Sequence, residues 1–368
     1  ADLRPETIAA CVDRALDIAR YTEEDPCNGL ADPDRLAVGA PDLDLWHPSP
    51  MDAEAAIERA LACEAAGRAE PRISNSEGAA FNAGLGLSVY GNSNGFVGRS
   101  SGTNYSQSCV LLAGRGDGMQ RDYSYDSRRC LADLEPVEVT GAEAARRTVG
   151  RLGARPLPTR SVPVLFAPRV ATGLISHLLR AISGSTLIRN ASFLKDRAGE
   201  QILPDWFRVA ERPHLLRGVS SSHFDNEGVA TAERDVIDAG VLTGYVLSTY
   251  TARRLGLQTT GNAGGARNLL VSPGGEGEGD LLASVNDGFY VTEVMGQGVN
   301  LVTGDYSRGA SGYRIVDGRL DHPVEEVTVA GNLADMFSDI AGAGEDVDTR
   351  GNIHCGGLLI RRMMVAGL

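Results

Sequence analysis

The feature that most limits the fold is the run from Arg72 to Arg129. Its extended-type segments are cut by two short turns, Gly91-Asn92-Ser93-Asn94-Gly95 and Gly114-Arg115-Gly116-Asp117-Gly118. Turns this short join only antiparallel neighbours, because a parallel crossover needs about a dozen residues or more. A strand meander is therefore expected there. The signature returns in the second half, with hairpin turns at Asp238-Ala239-Gly240 and Asp317-Gly318 and a last strand over LLIRRMMVAG. The 45 glycines follow no Gly-X-Y period, so they mark turns and not a collagen-like chain.

Helices stand apart from these strands. Apolar residues at helical spacing predict helices over Pro5–Arg20, Met51–Ala66 and Val170–Ser183. Shorter helices are expected over Thr251–Leu257 and Asn332–Ile340, and one from Gly141 to Leu152 with Thr140 as its cap and Arg146, Arg147 and Arg151 on a basic face. The run Pro156–Arg160 reads as a linker. The expectation is an α+β fold of two domains, residues 1–154 and 155–368, with mostly antiparallel β-meanders and flanking helices.

The formal net charge of −13 disfavours binding to phosphate backbones, so no nucleic-acid partner is expected. No stretch approaches the roughly 18 apolar residues of a membrane helix, so no membrane partner is expected either. The first residues lack the basic flank and apolar run of a secretory signal. The six cysteines are scattered with no CxxC pair, which predicts reduced thiols in a cytoplasmic protein.

No chemistry stands out from short motifs. No two of the six histidines are four or five residues apart, so one helix turn cannot offer a histidine pair to a metal. Ser192-Phe193-Leu194-Lys195 matches S-x-x-K, but its companion motifs are absent. No phosphate-binding loop is present, and Gly84-Leu85-Gly86 and Gly296-Gln297-Gly298 read as bulges or turns. Two polar segments, Thr259–Gly265 and Thr303–Gly312, are denser than turns require. Either they are turns with an internal Asp–Arg pair, or they face a peptide or a partner chain. Under the second reading Asn262, Asp305, Tyr306, Ser307 and Arg308 lie near the bound surface.

Several long stretches carry a resemblance: RISNSEGAAFN, ASFLKDRAGEQI, PHLLRGVSSSHFDNEGVAT, LSTYTARRLGLQTTGNAGGARNL, GFYVTEVMGQGVNLVTGDYSRGASGYRI, PVEEVTVAGNL and GNIHCGGLLI. In this order they resemble the PmbA (TldE) branch of the TldD/PmbA metallopeptidases, historically also called modulators of DNA gyrase. The resemblance implies a cytoplasmic peptidase system that trims unfolded or modified peptides, including peptide-antibiotic precursors. It also implies a further segment ahead of the point where this chain begins.

In the TldD branch an H-E-x-x-x-H helix and a distant cysteine hold zinc. The corresponding region here, Thr172–Ser185, offers His177, no glutamate, and Arg180; Cys355 is similar in position to the cysteine ligand. These three are vestigial zinc-site positions by this comparison. The resemblance assigns this chain no catalytic residue and no metal or cofactor of its own. It implies zinc on a TldD-type catalytic partner in a heterodimer and unfolded peptide as substrate, and leaves a homodimer open as one state of the isolated chain. Two other classes remain: a non-enzymatic regulatory protein, or an independent hydrolase using Ser192 with Lys195, or Cys355.

Overall fold

The computed structural model describes residues 3–367. The first half carries α1 (Pro5–Tyr21), α2 (Ala53–Arg68), β1 (Ile73–Gly91), β2 (Val97–Ala113), β3 (Gln120–Arg128) and α3 (Val137–Gly150). The second begins with β4 (Arg160–Phe166), α4 (Pro168–Ala181), α5 (Gly184–Leu187), β5 (Val209–Glu211), β6 (Arg234–Asp238), β7 (Val241–Leu242) and α6 (Thr249–Arg254). It continues through β8 (Leu269–Val271), α7 (Glu278–Ala283), β9 (Asp287–Met295), β10 (Asp305–Val316), β11 (Arg319–Asn332), α8 (Leu333–Ser338), β12 (Ile340–Ala343), β13 (Ile353–His354) and β14 (Leu358–Ala366).

The meander forms as its turns dictate: β1, β2 and β3 make one antiparallel sheet. Helices α2 and α3 cover one face of it around Cys63, Cys109, Leu111, Ala144 and Ala145. The second half holds two sheets. One runs β11-β10-β9-β4-β14-β12, and β14 pairs back to β11, so the first five strands close on themselves. Only β4 and β9 pair in parallel within it, and α4 lies in the chain between them. The other sheet runs β13-β8-β5-β6-β7. The β10–β11 turn falls at Asp317-Gly318, where both residues have positive φ (49° and 73°), the backbone a two-residue hairpin favours.

Helix α4 is placed by its apolar stripe. Val170, Ala171, Leu174, Ile175, Leu178 and Ala181 are buried on one side, each large side chain contributing roughly 1.5–3 kcal/mol relative to exposure. Helix α3 starts earlier than expected. Thr140 is not its cap but lies inside the helix, fully buried, donating to Glu135 Oε1 at 2.6 Å and accepting from Gln107 Nε2 at 2.7 Å. Pro136 sets the start instead. Helix α6 starts at Thr249, two residues before the expected position, because Ser248 and Thr251 form a capping box.

Residues 25–44 reach across to the second half. Tyr250 donates to Asp25 at 2.9 Å, Arg253 pairs with Asp32 at 2.8 Å, Arg217 pairs with Asp44 at 2.6 Å, and Leu36 bridges to Val229. Helix α1 buries no side chain and leaves Ile8, Val12 and Leu16 exposed. Among the described residues, no helix is long and apolar enough to cross a membrane.

Candidate functional site

The helix that the family comparison singles out is α4, and it packs beside the N-terminal end of β10. His177 sits on the buried stripe of α4 at 8% exposure. Tyr306 of β10 stands edge-on to its ring, with centroids 6.0 Å apart. Side chains two apart on a strand share a face, so Arg308 lies on the same side of β10 as Tyr306. Arg180, one helical turn beyond His177, brings a second guanidinium. Burial first, then the charges of Arg308 and Arg180, push the His177 imidazole down to about 4, so it is neutral at physiological pH. Burial pushes the Tyr306 phenol up to about 12, keeping it a protonated donor.

The same parity divides the four consecutive residues singled out on β10. Tyr306 is 3% exposed and Arg308 half-buried, whereas Asp305 and Ser307 point the other way into solvent. Asp305 ties the strand end by accepting from Thr303 at 2.6 Å and from Asn332 Nδ2 at 3.4 Å. The strand is held close to the preceding loop by Gly298, where a Cβ would stand 1.8 Å from the Ser307 carbonyl oxygen.

Asn262 lies in a different place. It is 5% exposed, donates to Glu211 Oε1 at 2.7 Å, and accepts from Arg234 at 3.0 Å and Thr260 at 2.7 Å. Glu211 also accepts from the Arg267 backbone N–H and pairs with Arg234. Asn262 is thus a strut in a satisfied internal network and faces neither His177 nor solvent. Ser192 and Lys195 do not form a nucleophile pair. The serine oxygen accepts from the Leu194 N–H at 3.0 Å, and the exposed lysine donates to Asn190.

The vestigial positions do not fit zinc. A catalytic zinc takes three deprotonated or neutral ligands. Cys355 is fully buried, donates to the Gly356 carbonyl at 3.2 Å, and has its thiol pushed up to about 12 by burial and the Asp348 charge. His177 has two guanidiniums near it, and a guanidinium repels a metal cation. Among the described residues, no group of three His, Cys, Asp or Glu side chains is arranged to hold a metal ion.

A second feature escaped the sequence reading. A cavity of about 480 Å³ opens between the two halves, lined by Asp122, Arg146, Arg147, Arg151, Arg169, Glu278, Tyr290, Tyr313 and Arg350 among others. The basic face of α3 was legible; of the acids that meet the cleft arginines, Glu143 lies on α3 and the others come from elsewhere. Asp122 takes Arg169 at 2.8 Å and 3.0 Å, Glu143 takes Arg146 and Arg147 at 2.6 Å each, Glu293 takes Arg151, and Asp348 takes Arg350. Each of these cleft arginines therefore meets a carboxylate, with Arg146 and Arg147 sharing Glu143. Burial raises the Glu278 carboxyl above its usual range, although Tyr290 donates to it at 2.7 Å.

Comparison with known proteins agrees with this architecture. The PmbA/TldA metallopeptidase central domain matches residues 46–152, and the C-terminal domain of the same family matches residues 159–367. The chain is 49% identical over 368 residues to the metalloprotease PmbA of Escherichia coli O157:H7, covering all of this chain and 82% of that protein. It is 45% identical over 369 residues to the metalloprotease PmbA homolog of Haemophilus influenzae, with the same coverage. A crystal structure from Bacteroides thetaiotaomicron, of a protein provisionally described as a modulator of DNA gyrase, superposes with a TM-score of 0.94 at 30% identity, covering all of this chain and 84% of that one. On both sequence and fold, the chain belongs to the PmbA/TldD metallopeptidase family, on its PmbA side.

Proposed function

We propose that this chain is a non-catalytic subunit of a cytoplasmic zinc peptidase that processes unfolded or modified peptides. In this reading zinc is carried by a TldD-type partner, and this chain supplies one wall of the substrate cavity. The observation that carries it is the donor set around His177: one neutral imidazole beside two guanidiniums, with Cys355 held as a buried protonated thiol. Such a set repels the metal that the family's name requires.

The β1–β2 hairpin supports the partner. Leu85, Leu87 and Val89 alternate along one face of β1 and are 64%, 79% and 69% exposed. A row of apolar side chains on an extended hairpin is a surface suited to another subunit.

The test is an assay of zinc content and of cleavage of an unfolded protein, on the chain alone and mixed with a TldD-type subunit, each with and without chelator. The chain alone is expected to hold no stoichiometric zinc and to cleave nothing, and the mixture to cleave in a chelator-sensitive way. Chelator-sensitive cleavage by the chain alone, with stoichiometric zinc, overturns the proposal.

A further inference from the structure

We propose that His177, Tyr306, Arg308 and Arg180 form a carboxylate-binding site through which this chain holds an anionic group of a peptide. The first ground is unmet hydrogen bonding. His177 Nδ1 and Arg308 Nε are both buried without a partner among the described residues. Tyr306, 3% exposed, stands edge-on to the His177 ring beside them. A buried polar atom left unmet costs about 1–3 kcal/mol, so two in one cluster mark a place where a ligand completes the bonding.

The second ground is charge. Neither Arg180 nor Arg308 has an ion pair among the described residues. In a chain of net charge −13, two guanidiniums without a carboxylate are a local surplus. The larger arginine-lined cleft offers the contrast. Asp122, Glu143, Glu293 and Asp348 already occupy its guanidiniums. It has no comparable surplus, whereas the His177 cluster does.

The geometry also explains the choice of anion. A neutral imidazole and a phenol add donors without adding charge, and a guanidinium fork matches a planar carboxylate. The arrangement is the electrostatic inverse of a metal site: what binds must bring the negative charge. The existence of the anion site rests on these four residues alone. That the anion belongs to a peptide rests on the subunit reading above.

The experiment reads binding, not cleavage, on the full chain without a partner and in the presence of chelator, so its outcome is separable from that of the peptidase assay. Three N-terminally labelled unstructured peptides are titrated by fluorescence anisotropy at low salt: one with a free C-terminal carboxylate and no acidic residue, its C-terminal amide, and the amide with a single internal glutamate. Binding of the free acid alone assigns a peptide C-terminus. Equal binding of the first and third assigns any peptide carboxylate. Arg308→Gln and Arg180→Gln should each weaken binding about tenfold, the effect of losing one charge-assisted hydrogen bond. Arg180 is exposed, so its substitution leaves packing intact. On binding, the His177 ring nitrogen resonances should shift while those of the other five histidines stay fixed. Equal affinity for all three peptides, or affinity unchanged in both arginine variants, overturns the proposal. So does displacement of the peptide by inorganic phosphate at far lower concentration than by acetate.

Discussion

Asp122 ties the two halves together through a buried ion pair, and removing its charge gives a quantitative test. It lies on β3, its side chain is 4% exposed, and it meets Arg169 of α4 through two bonds, 2.8 Å and 3.0 Å. Arg151 of α3 stands 3.6 Å away on the same carboxylate. Burial raises the Asp122 carboxyl, but the hydrogen bonds and charge of Arg169 more than offset it, and the group sits below its ordinary value. Asp122→Asn keeps the shape and removes the charge. It leaves the Arg169 charge, 14% exposed, without a counter-charge, with the Thr292 carbonyl and at best one amide oxygen as acceptors. Breaking a buried pair from one side costs about 3–5 kcal/mol, and the slight exposure of Arg169 argues for the lower end, about 3 kcal/mol. A double variant, Asp122→Asn with Arg169→Met, should recover part of that loss because no uncompensated cation remains.

The pH dependence follows from the direction of the shift. A carboxyl whose folded-state value is depressed stabilises the fold above its unfolded value, near pH 4, and that contribution is lost as pH falls through the lower folded value. The gap between wild type and Asp122→Asn should therefore be flat near neutrality and narrow below about pH 4. Urea unfolding followed by hydrogen exchange at β3 and α4 reads both effects, and exchange resolves the two halves if they unfold separately. A loss under about 1 kcal/mol at neutral pH, or a gap unchanged by acid, refutes the reasoning.

Two further outcomes are expected. Asn262→Ala should lower stability by about 1–3 kcal/mol in chemical denaturation, because it removes the donor to the buried Glu211, yet leave peptide affinity unchanged; lost affinity at full stability would return Asn262 to the binding surface. Under native alkylation at mildly alkaline pH, mass mapping should find the exposed Cys11 modified early and Cys355 only after unfolding, since burial holds the Cys355 thiol up to about 12. Early labelling of Cys355 would contradict its role as a protonated packing group.

Legibility in the sequence followed the range of the interaction. The β1–β3 meander was readable because period-two alternation and glycine turns act between neighbours, and the hairpin at Asp317-Gly318 needed only two residues with positive φ. The start of α3 was misjudged because the deciding contact is distant: Thr140 looks like a cap, but Gln107, 33 residues away, donates to its oxygen. Helix α7 was missed inside a glycine- and acid-rich run, where only the packing of Leu281 under the second half selects a helix. At the candidate site the polar density of residues 303–312 was visible, but not which side chains share a face. Strand parity keeps Tyr306 and Arg308 with His177 and sends Asp305 and Ser307 outward. That the histidines of the TldD-type motif do not recur over Thr172–Ser185 could be read from the sequence. What stands in their place could not, because the positive charge at His177 is delivered partly by Arg308, 131 residues further along the chain, on a strand that reaches α4 only once β10 has paired between β9 and β11. Here the fold leaves two unpaired guanidiniums around an uncharged imidazole, and that surplus gives the position its own chemistry.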